Sequence, residues 1–393
     1  MDPIRLALVG TGGRGQIYVD VLKRMAEPRA VWAAMCDRNE EVLNAFCDRN
    51  DLAGVPRLAS VEELVRRDDV DAVLICTPDY THRAPAEACF GAGLHCLVEK
   101  PVATNPEEVR AICDAARRSG KLLHLGFVFR YDPCALKLRE LIAGGAIGTV
   151  IACITHEAVG WFHGSTYMRR WNRFRKMSGD MLLHKGCHTF DLLNFITGAH
   201  PVRVAAFGGT EVFRPRPEAA AFCKDCAVTA DCLYYTDQGP AYRDRFYHTA
   251  GPQVLPEDYC VYNVDKDTTD TTSLTAEYSN GMKLSYTMTM VSPQGQRRMI
   301  FIGTRGEIRC DMDTYRIEVL PLPDRPTETV PVPRPEGYGH QHHDLCLTND
   351  FLDRIARDDD PEAGILDAYM SGAVAFAALE SMTTGEIVDV PPL

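Results

Sequence analysis

An apolar run of strand length, Ile4-Arg5-Leu6-Ala7-Leu8-Val9, ends directly in Gly10-Thr11-Gly12-Gly13-Arg14-Gly15, and residues 17–25 continue as an amphipathic segment. The Gly-x-Gly-x-x-Gly spacing is a weak signal alone. Between a strand and a helix it leaves few folds open, because each glycine has its own task. The first permits a tight turn, the second lets backbone approach a pyrophosphate, and the third lets the helix pack on the strand. Phosphate charge would then rest on the free N–H groups at the helix start. This context predicts the opening of a doubly wound parallel sheet, with Gly10, Thr11, Gly12, Gly13, Arg14 and Gly15 lining a dinucleotide site.

The following strands agree with that start. Residues 30–36 form a second strand ending at Asp37, 22 residues beyond Gly15, close to the spacing of the acid that bonds the adenosine ribose. A carboxylate there repels a 2′-phosphate and favours NAD. Arg38 follows and is able to bind that phosphate, so NADP is disfavoured without being excluded. Residues 71–76 make a third strand, running out through Thr77-Pro78 to His82, where a helix begins near residue 83. His82 either packs at that helix start or touches the cofactor.

Residues 94–98 are a buried strand whose tip carries Glu99-Lys100-Pro101. Ligands of open α/β sheets sit at the carboxyl ends of the strands, so Lys100 delivers one ammonium to the crevice unless the tip is simply solvated. A helix over 106–119 and a strand over 122–129 continue the strand–helix alternation of a parallel sheet.

The chain has 393 residues, too many for one ordinary core, and two domains are expected, 1–128 and 129–393. The second reads as α+β. A helix over 135–143 and a strand over 149–155 lead into a loop rich in aromatic and basic residues, including Trp161, His163, Tyr167 and Trp171. A net charge of −12 makes a nucleic-acid stripe a poor reading of that loop and gives no reason to expect an anionic membrane as partner. Aromatic faces and donors for a sugar-like ligand suit it better.

Ser178-Gly179-Asp180 opens a helix over 181–196, which places His184, His188, Asp191 and Phe195 on one face. A bare His-x3-His pair on a helix is also able to chelate a metal. Asn280-Gly281 joins strands 272–279 and 282–290, and a second hairpin turns about 304–306. An open, mainly antiparallel sheet with helices on one face follows, closed by helices over 345–356 and 367–382. Before them stands Gly339-His340-Gln341-His342-His343-Asp344, which suits a substrate-side loop, a metal site or an exposed polar loop.

Fifteen cysteines are an odd count, most of them scattered singly in apolar runs, which suits buried thiols in a reducing, cytoplasmic setting. No apolar run approaches the length of a membrane span, and no signal-peptide pattern is seen. Cys223, Cys226, Cys232 and Cys260 differ from the other thiols, falling within a loop-like insertion at about 214–262. Four thiolates suit a structural zinc that would help fold a segment poor in core residues. Free thiols, an iron–sulfur cluster and a disulfide are the other readings.

Residues 10–15, Asp37, Thr77-Pro78, His82, Glu99-Lys100-Pro101 and Gly126-Phe127-Val128-Phe129-Arg130-Tyr131 occur together and in order. On these the chain resembles the Gfo/Idh/MocA family of oxidoreductases, named after glucose-fructose oxidoreductase and inositol dehydrogenase. The resemblance implies a lysine, Lys100, lying between nicotinamide and substrate. It also implies a second-domain helix carrying an Asp-x3-His pair whose histidine shares proton transfer with that lysine. His188 and Asp191 match this helix, whereas His184 stands where the aspartate is usual.

The implied catalytic set is Lys100, His188 and His184, with Thr77, Pro78, His82, Glu99 and Lys100 near the cofactor and Arg130, Tyr131, Trp161, His163, Trp171, Lys185, Asp191 and His340 near the substrate. The implied reaction moves a hydride between nicotinamide and a secondary hydroxyl of a sugar, glycoside or cyclitol. Histidine suits the proton and lysine the developing alkoxide, although the two roles are exchangeable. Glycoside cleavage by transient C3 oxidation is a second activity in the family, and non-catalytic nucleotide or sugar sensing a third. Some members carry a cysteine-rich insertion, and an oligomer formed through the antiparallel sheet is expected by resemblance.

Overall fold

The computed structural model describes the chain apart from residues 1, 26, 251–254, 324 and 336–340, with the side chains of 247–250 and 341 also left undescribed. Its strands are β1 (Ile4–Val9), β2 (Ala30–Cys36), β3 (Arg57–Leu58), β4 (Ala72–Ile75), β5 (His95–Val98), β6 (Leu123–Leu125), β7 (Val150–Gly160), β8 (Pro201–Gly209), β9 (Thr271–Tyr278), β10 (Lys283–Ser292), β11 (Gln296–Gly303), β12 (Gly306–Asp311), β13 (Arg316–Pro321), β14 (Glu328–Val330) and β15 (Val388–Asp389). Its helices are α1 (Gly13–Arg24), α2 (Glu40–Arg49), α3 (Val61–Leu64), α4 (Arg83–Gly91), α5 (Pro106–Ser119), α6 (Pro133–Ala143), α7 (Trp161–Met168), α8 (Arg175–Ser178), α9 (Met181–Thr197), α10 (Pro240–Ala250), α11 (Gln341–Arg357) and α12 (Ile365–Thr384).

Contacts divide the chain into two units rather than at one cut near residue 128. The first holds Met1–Tyr131, Glu336–Tyr369 and Leu393, and the second holds Asp132–Pro335 and Met370–Pro392. The late segment belongs to the first unit for a packing reason. Leu347, Phe351 and Leu352 of α11 are buried in one cluster with Leu6, Leu8, Tyr18, Leu74 and Leu97. Asp350, on the same helix, accepts hydrogen bonds from Tyr131 and Arg354 and lies 2.9 Å from Nε2 of the buried His124. Burial would raise the Asp350 carboxyl, but these partners together outweigh it and hold it at about 2.

The first unit is a six-stranded parallel sheet in the order β3-β2-β1-β4-β5-β6. β4 is buried throughout and β1 and β5 nearly so, which is why they read as continuous apolar runs rather than alternating ones. The strand expected over 122–129 stops at Leu125. Beyond it Val128–Tyr131 forms a 3-10 turn packed against α11.

In the second unit nine strands lie in the order β14-β13-β12-β11-β7-β10-β9-β8-β15. Neighbours are antiparallel except β7 and β10. Both expected hairpins form, β9–β10 about Asn280-Gly281 and β11–β12 about 304–305. The strands alternate, so Leu274, Ala276, Leu284, Tyr286, Met288 and Phe301 face a covered side while Ile151, Ile154 and Phe207 are exposed. The aromatic stretch after β7, expected as a loop, is helical over α7, a 3-10 turn at Trp171–Arg173, and α8. Packing decides this: α7 lies so close on β10 that a Cβ on Gly164 would fall 1.9 Å from the Met290 carbonyl oxygen. α12 is long and apolar enough to cross a membrane by length and composition, but 61% of its most apolar stretch is buried in the protein, as in a core helix.

Candidate active site

At the carboxyl ends of β1 and β4 the glycine turn sits at the point where strand order reverses. Gly10 has φ +95°, and a Cβ there would fall 2.7 Å from the Cys76 carbonyl carbon, so any side chain would separate the two strand tips. At Gly12 a Cβ would meet nothing within 4 Å, so that side of the turn is open. Gly12 caps α1 without a side-chain bond, and the first helical turn contains no acid. An open turn ending on an uncapped, acid-free helix start fits a pyrophosphate. Asp37 Oδ2 accepts from the Thr11 N–H and hydroxyl, both at 2.9 Å, and Oδ1 from the Asn39 N–H at 3.0 Å. Each oxygen keeps lone-pair capacity for a ribose hydroxyl, and Arg38 stands exposed beside it. The residues present fit a dinucleotide.

Lys100 extends from the tip next along. β4 and β5 run in parallel register with Ile75 opposite Val98, and the Glu99 N–H donates to the Ile75 carbonyl at 3.0 Å. His82 then clamps the two tips. Its Nε2 lies 2.8 Å from the Thr77 carbonyl and its Nδ1 lies 2.9 Å from the Pro101 carbonyl. Only 1% of His82 is exposed, and its side chain does not cap α4. Glu99 is also buried: it accepts from Arg14 Nε and the Tyr18 hydroxyl, each at 2.8 Å, and from the Lys100 N–H at 3.2 Å. Arg14 reaches Asp344 as well, at 2.8 Å. The side chains of Arg14 and Glu99 therefore bind the lysine tip to α1 and α11.

Asp79, in the 3-10 turn Asp79–Thr81, was not singled out by motif. It is 5% exposed, and burial pushes its carboxyl up to about 7 against the pull of the Lys100 ammonium and His82, with Glu99 adding to the rise. Its place two residues past Thr77, at the tip beside the Lys100 tip, was a readable signal.

The second unit presents the α9 face. Asp180 caps the helix through Leu182 and is held by Thr269 and Arg175. Midway along, the Thr189 hydroxyl donates to Glu157 on β7, which also accepts from Tyr286 and pairs with Arg297 at 2.6 Å. No sequence pattern marked Glu157 or Arg297, because an acid and a base on separate strands carry no spacing. His184 and His188 are both buried on this helix, as is Asp191. His184 meets the Tyr167 and Trp171 rings edge-on at 5.2 and 6.0 Å and lies 3.4 Å from Asn172 Nδ2. His163 stacks on Tyr167 at 4.7 Å, and the Lys185 ammonium lies 5.0 Å from the same ring centre. Within this unit His163, Trp171, His184 and Lys185 thus gather about Tyr167. Trp161 lies apart, under Arg245 and beside Tyr234 of the cysteine-bearing insertion.

Two expected substrate residues are used otherwise. Arg130 is buried and bonds the Glu362 carbonyl and Asp367, while the Tyr131 hydroxyl donates to Asp350. Both side chains hold the late segment onto the first unit. His340 lies outside the described residues.

The zinc expectation finds no support among the described residues. All fifteen cysteines are unbonded thiols, and among the described residues no three His, Cys, Asp or Glu side chains gather to hold a metal. Cys223 and Cys260 come from paired backbone segments, but the Arg169 guanidinium lies 3.9 Å from Cys223 Sγ and bonds the Tyr234 and Tyr259 carbonyls. Phe213, Tyr234 and Tyr262 pack together there, so an aromatic cluster supplies the burial that a metal was expected to supply.

Comparison with known proteins extends over both units. The profile described as "Oxidoreductase family, NAD-binding Rossmann fold" matches residues 4–127, and "Oxidoreductase family, C-terminal alpha/beta domain", of the same Gfo/Idh/MocA group, matches 139–390. YteT of Bacillus subtilis, named as a candidate oxidoreductase, is 28% identical over 86% of this chain and 85% of its own length. An inositol 2-dehydrogenase of Rubrobacter xylanophilus is 32% identical, over 38% of this chain and 42% of its own length. Among solved structures, levoglucosan dehydrogenase in complex with NADH and levoglucosan superposes with a TM-score of 0.77 at 19% identity, covering 99% of this chain and all of that one, a likeness of fold.

Proposed function

This chain belongs to the Gfo/Idh/MocA oxidoreductase family, and from that premise we propose that it is an NAD-dependent dehydrogenase acting on a secondary hydroxyl of a sugar, glycoside or cyclitol. NAD, when bound, supplies the hydride acceptor at nicotinamide C4. The protein's part is to place the hydroxyl, take its proton and steady the oxygen left behind. His188 is the proton acceptor, because imidazole titrates near neutrality without large perturbation. Lys100 is the cation that stabilises the developing alkoxide. The glycine turn, Asp37 and the uncapped start of α1 hold the dinucleotide.

One observation carries this reading. The turn open at Gly12 and the Lys100 tip are joined into one structure by Arg14–Glu99 and by the His82 clamp. An ammonium that merely solvated a strand end would not call for two buried side chains to fix its backbone. The named activities of the inositol and levoglucosan relatives support the substrate class.

The test is NADH formation across a panel of sugars and cyclitols by the wild type and by Lys100→Ala and His188→Ala, with NADH binding followed by fluorescence. Each variant is expected to lose about 10²- to 10⁴-fold in kcat while retaining NADH. Unchanged turnover in both refutes the roles. Release of free sugar from glycosides without net NADH would transfer the assignment to elimination chemistry.

A further inference from the structure

Asn172 lies in the 3-10 turn Trp171–Arg173 of the second unit. It is 2% exposed, its Nδ2 stands 3.4 Å from His184 Nε2, and its Oδ1 has no hydrogen-bond partner among the described residues. Asparagine in a turn commonly bonds nearby backbone. Among the described residues this amide bonds no backbone group. Arg173 beside it turns to the insertion, bonding the Asp265 carbonyl and lying over the Tyr259 ring. Asn172 turns instead to α9 and meets the histidine one helical turn before His188.

Asn50 shows how the fold treats a buried amide when only packing is at stake. It is 3% exposed, its Nδ2 donates to Gln16 Oε1 and the Phe46 carbonyl, and its Oδ1 accepts from Gln16 Nε2. A buried amide left half-matched, as at Asn172, is costly unless an incoming group meets it. The unmatched atom also selects that group. An amide oxygen accepts, so a carboxylate or a phosphate dianion, which brings lone pairs alone, does not answer it, whereas a hydroxyl does. With the amide ends exchanged the unmatched atom is a donor, and a hydroxyl answers that as well.

We infer that Asn172 is a specificity-determining residue whose amide receives a substrate hydroxyl other than the one oxidised. The inference rests on the dehydrogenase reading and narrows it to substrates with a second, recognised hydroxyl. The reacting hydroxyl belongs to His188, and residues four apart on a helix stand about 6 Å apart along its axis. The hydroxyl that meets Asn172 beside His184 is therefore a different one. A site built to bond a hydroxyl rejects the analogue lacking it, because its buried polar group is then left unpaired.

The experiment is titration calorimetry on the full chain preloaded with NADH, using D-glucose, D-galactose, myo-inositol and the monodeoxy forms of each. In the wild type, one monodeoxy form of the sugar that binds is expected to bind at least about tenfold more weakly than its parent. In Asn172→Leu, which keeps the branched shape without polar atoms, and in Asn172→Ala, that parent and that deoxy form are expected to bind within about threefold of each other. Differences at the other positions should persist, and NADH binding should stay as in the wild type. The same deoxy pattern in the variants as in the wild type, equal weakening of the parent and every deoxy form, or binding of no sugar each overturn the inference. Failure to bind NADH, or no NADH formation from a sugar that does bind when NAD is supplied, is a separate result and counts against the dehydrogenase reading instead.

Discussion

What tunes Lys100 is a question about single residues. The first unit offers an answer in Asp79, buried at the neighbouring tip and titrating at about 7. Above that pH its carboxylate favours the lysine ammonium; below it the carboxyl is neutral and the favour is withdrawn. Asp79→Asn should therefore lower the pH midpoint of Lys100 acetylation, read by mass spectrometry, by about one unit. Its kcat/KM profile should part from the wild type above pH 7 and merge with it in acid. An unmoved midpoint would remove Asp79 from the account.

The same raised carboxyl acts on stability. The folded chain keeps a proton that the unfolded chain releases in the ordinary carboxylate range, so this group's contribution is lost as pH rises from about 4 to about 7, on the order of 4 kcal/mol across the window. Asp79→Asn should flatten that slope in urea titrations. Position was legible at this scale, since Glu99 and Lys100 stand at a strand tip and His82 at a helix start as expected. Orientation was not: His82 and Glu99 turn inward onto carbonyls and Arg14, a direction no spacing encodes.

At the scale of elements, what the sequence showed well were pieces with local causes. The β9–β10 hairpin follows from Asn280-Gly281, and α5 from Asn105 capping Glu108, Pro106 at its start and Gly120 at φ +64° beyond its end. Elements with distant causes were missed. α7 exists because Gly164 lets it lie against Met290, and β7 pairs in parallel with β10 across more than a hundred residues of chain. The cysteine spacing in the insertion suggested a metal because the competing cause, an aromatic cluster with Arg169, is spread over ninety residues.

Glu157 is the clearest such distant link, since it fixes α9 to β7, β10 and β11 beside His188. Glu157 is buried and the Arg297 side chain is only 12% exposed, so Glu157→Ala breaks a largely desolvated pair and should cost about 3–5 kcal/mol, seen as a fall in urea midpoint. Because Thr189 adjoins His188, the variant's remaining folded fraction should also lose kcat more than KM. A change below about 1 kcal/mol would show the network to be incidental.

For the molecule as a whole, the division of the chain matters more than any one element. Glycine and lysine motifs all lie before residue 131, which invites the view that a nucleotide-binding domain could be cut there. The core says otherwise. Leu347, Phe351 and Leu352 fill the cluster beneath β1 and α1, and Asp344 shares Arg14 with Glu99. Removing three buried apolar side chains forgoes roughly 1.5–3 kcal/mol each, a sum comparable with the whole stability of an ordinary domain at about 5–15 kcal/mol. Residues 1–131 expressed alone are therefore expected to lack cooperative unfolding and NADH binding. The same residues joined by a flexible linker to 336–369 should recover both, because the linked segment restores the cluster and the acid facing Arg14. Recovery should fail when Leu347 and Phe351 are replaced by Ser, which keeps the chain length and removes only the burial. A truncated 1–131 that melts cooperatively and binds NADH would mean that the far segment decorates the unit rather than completes it.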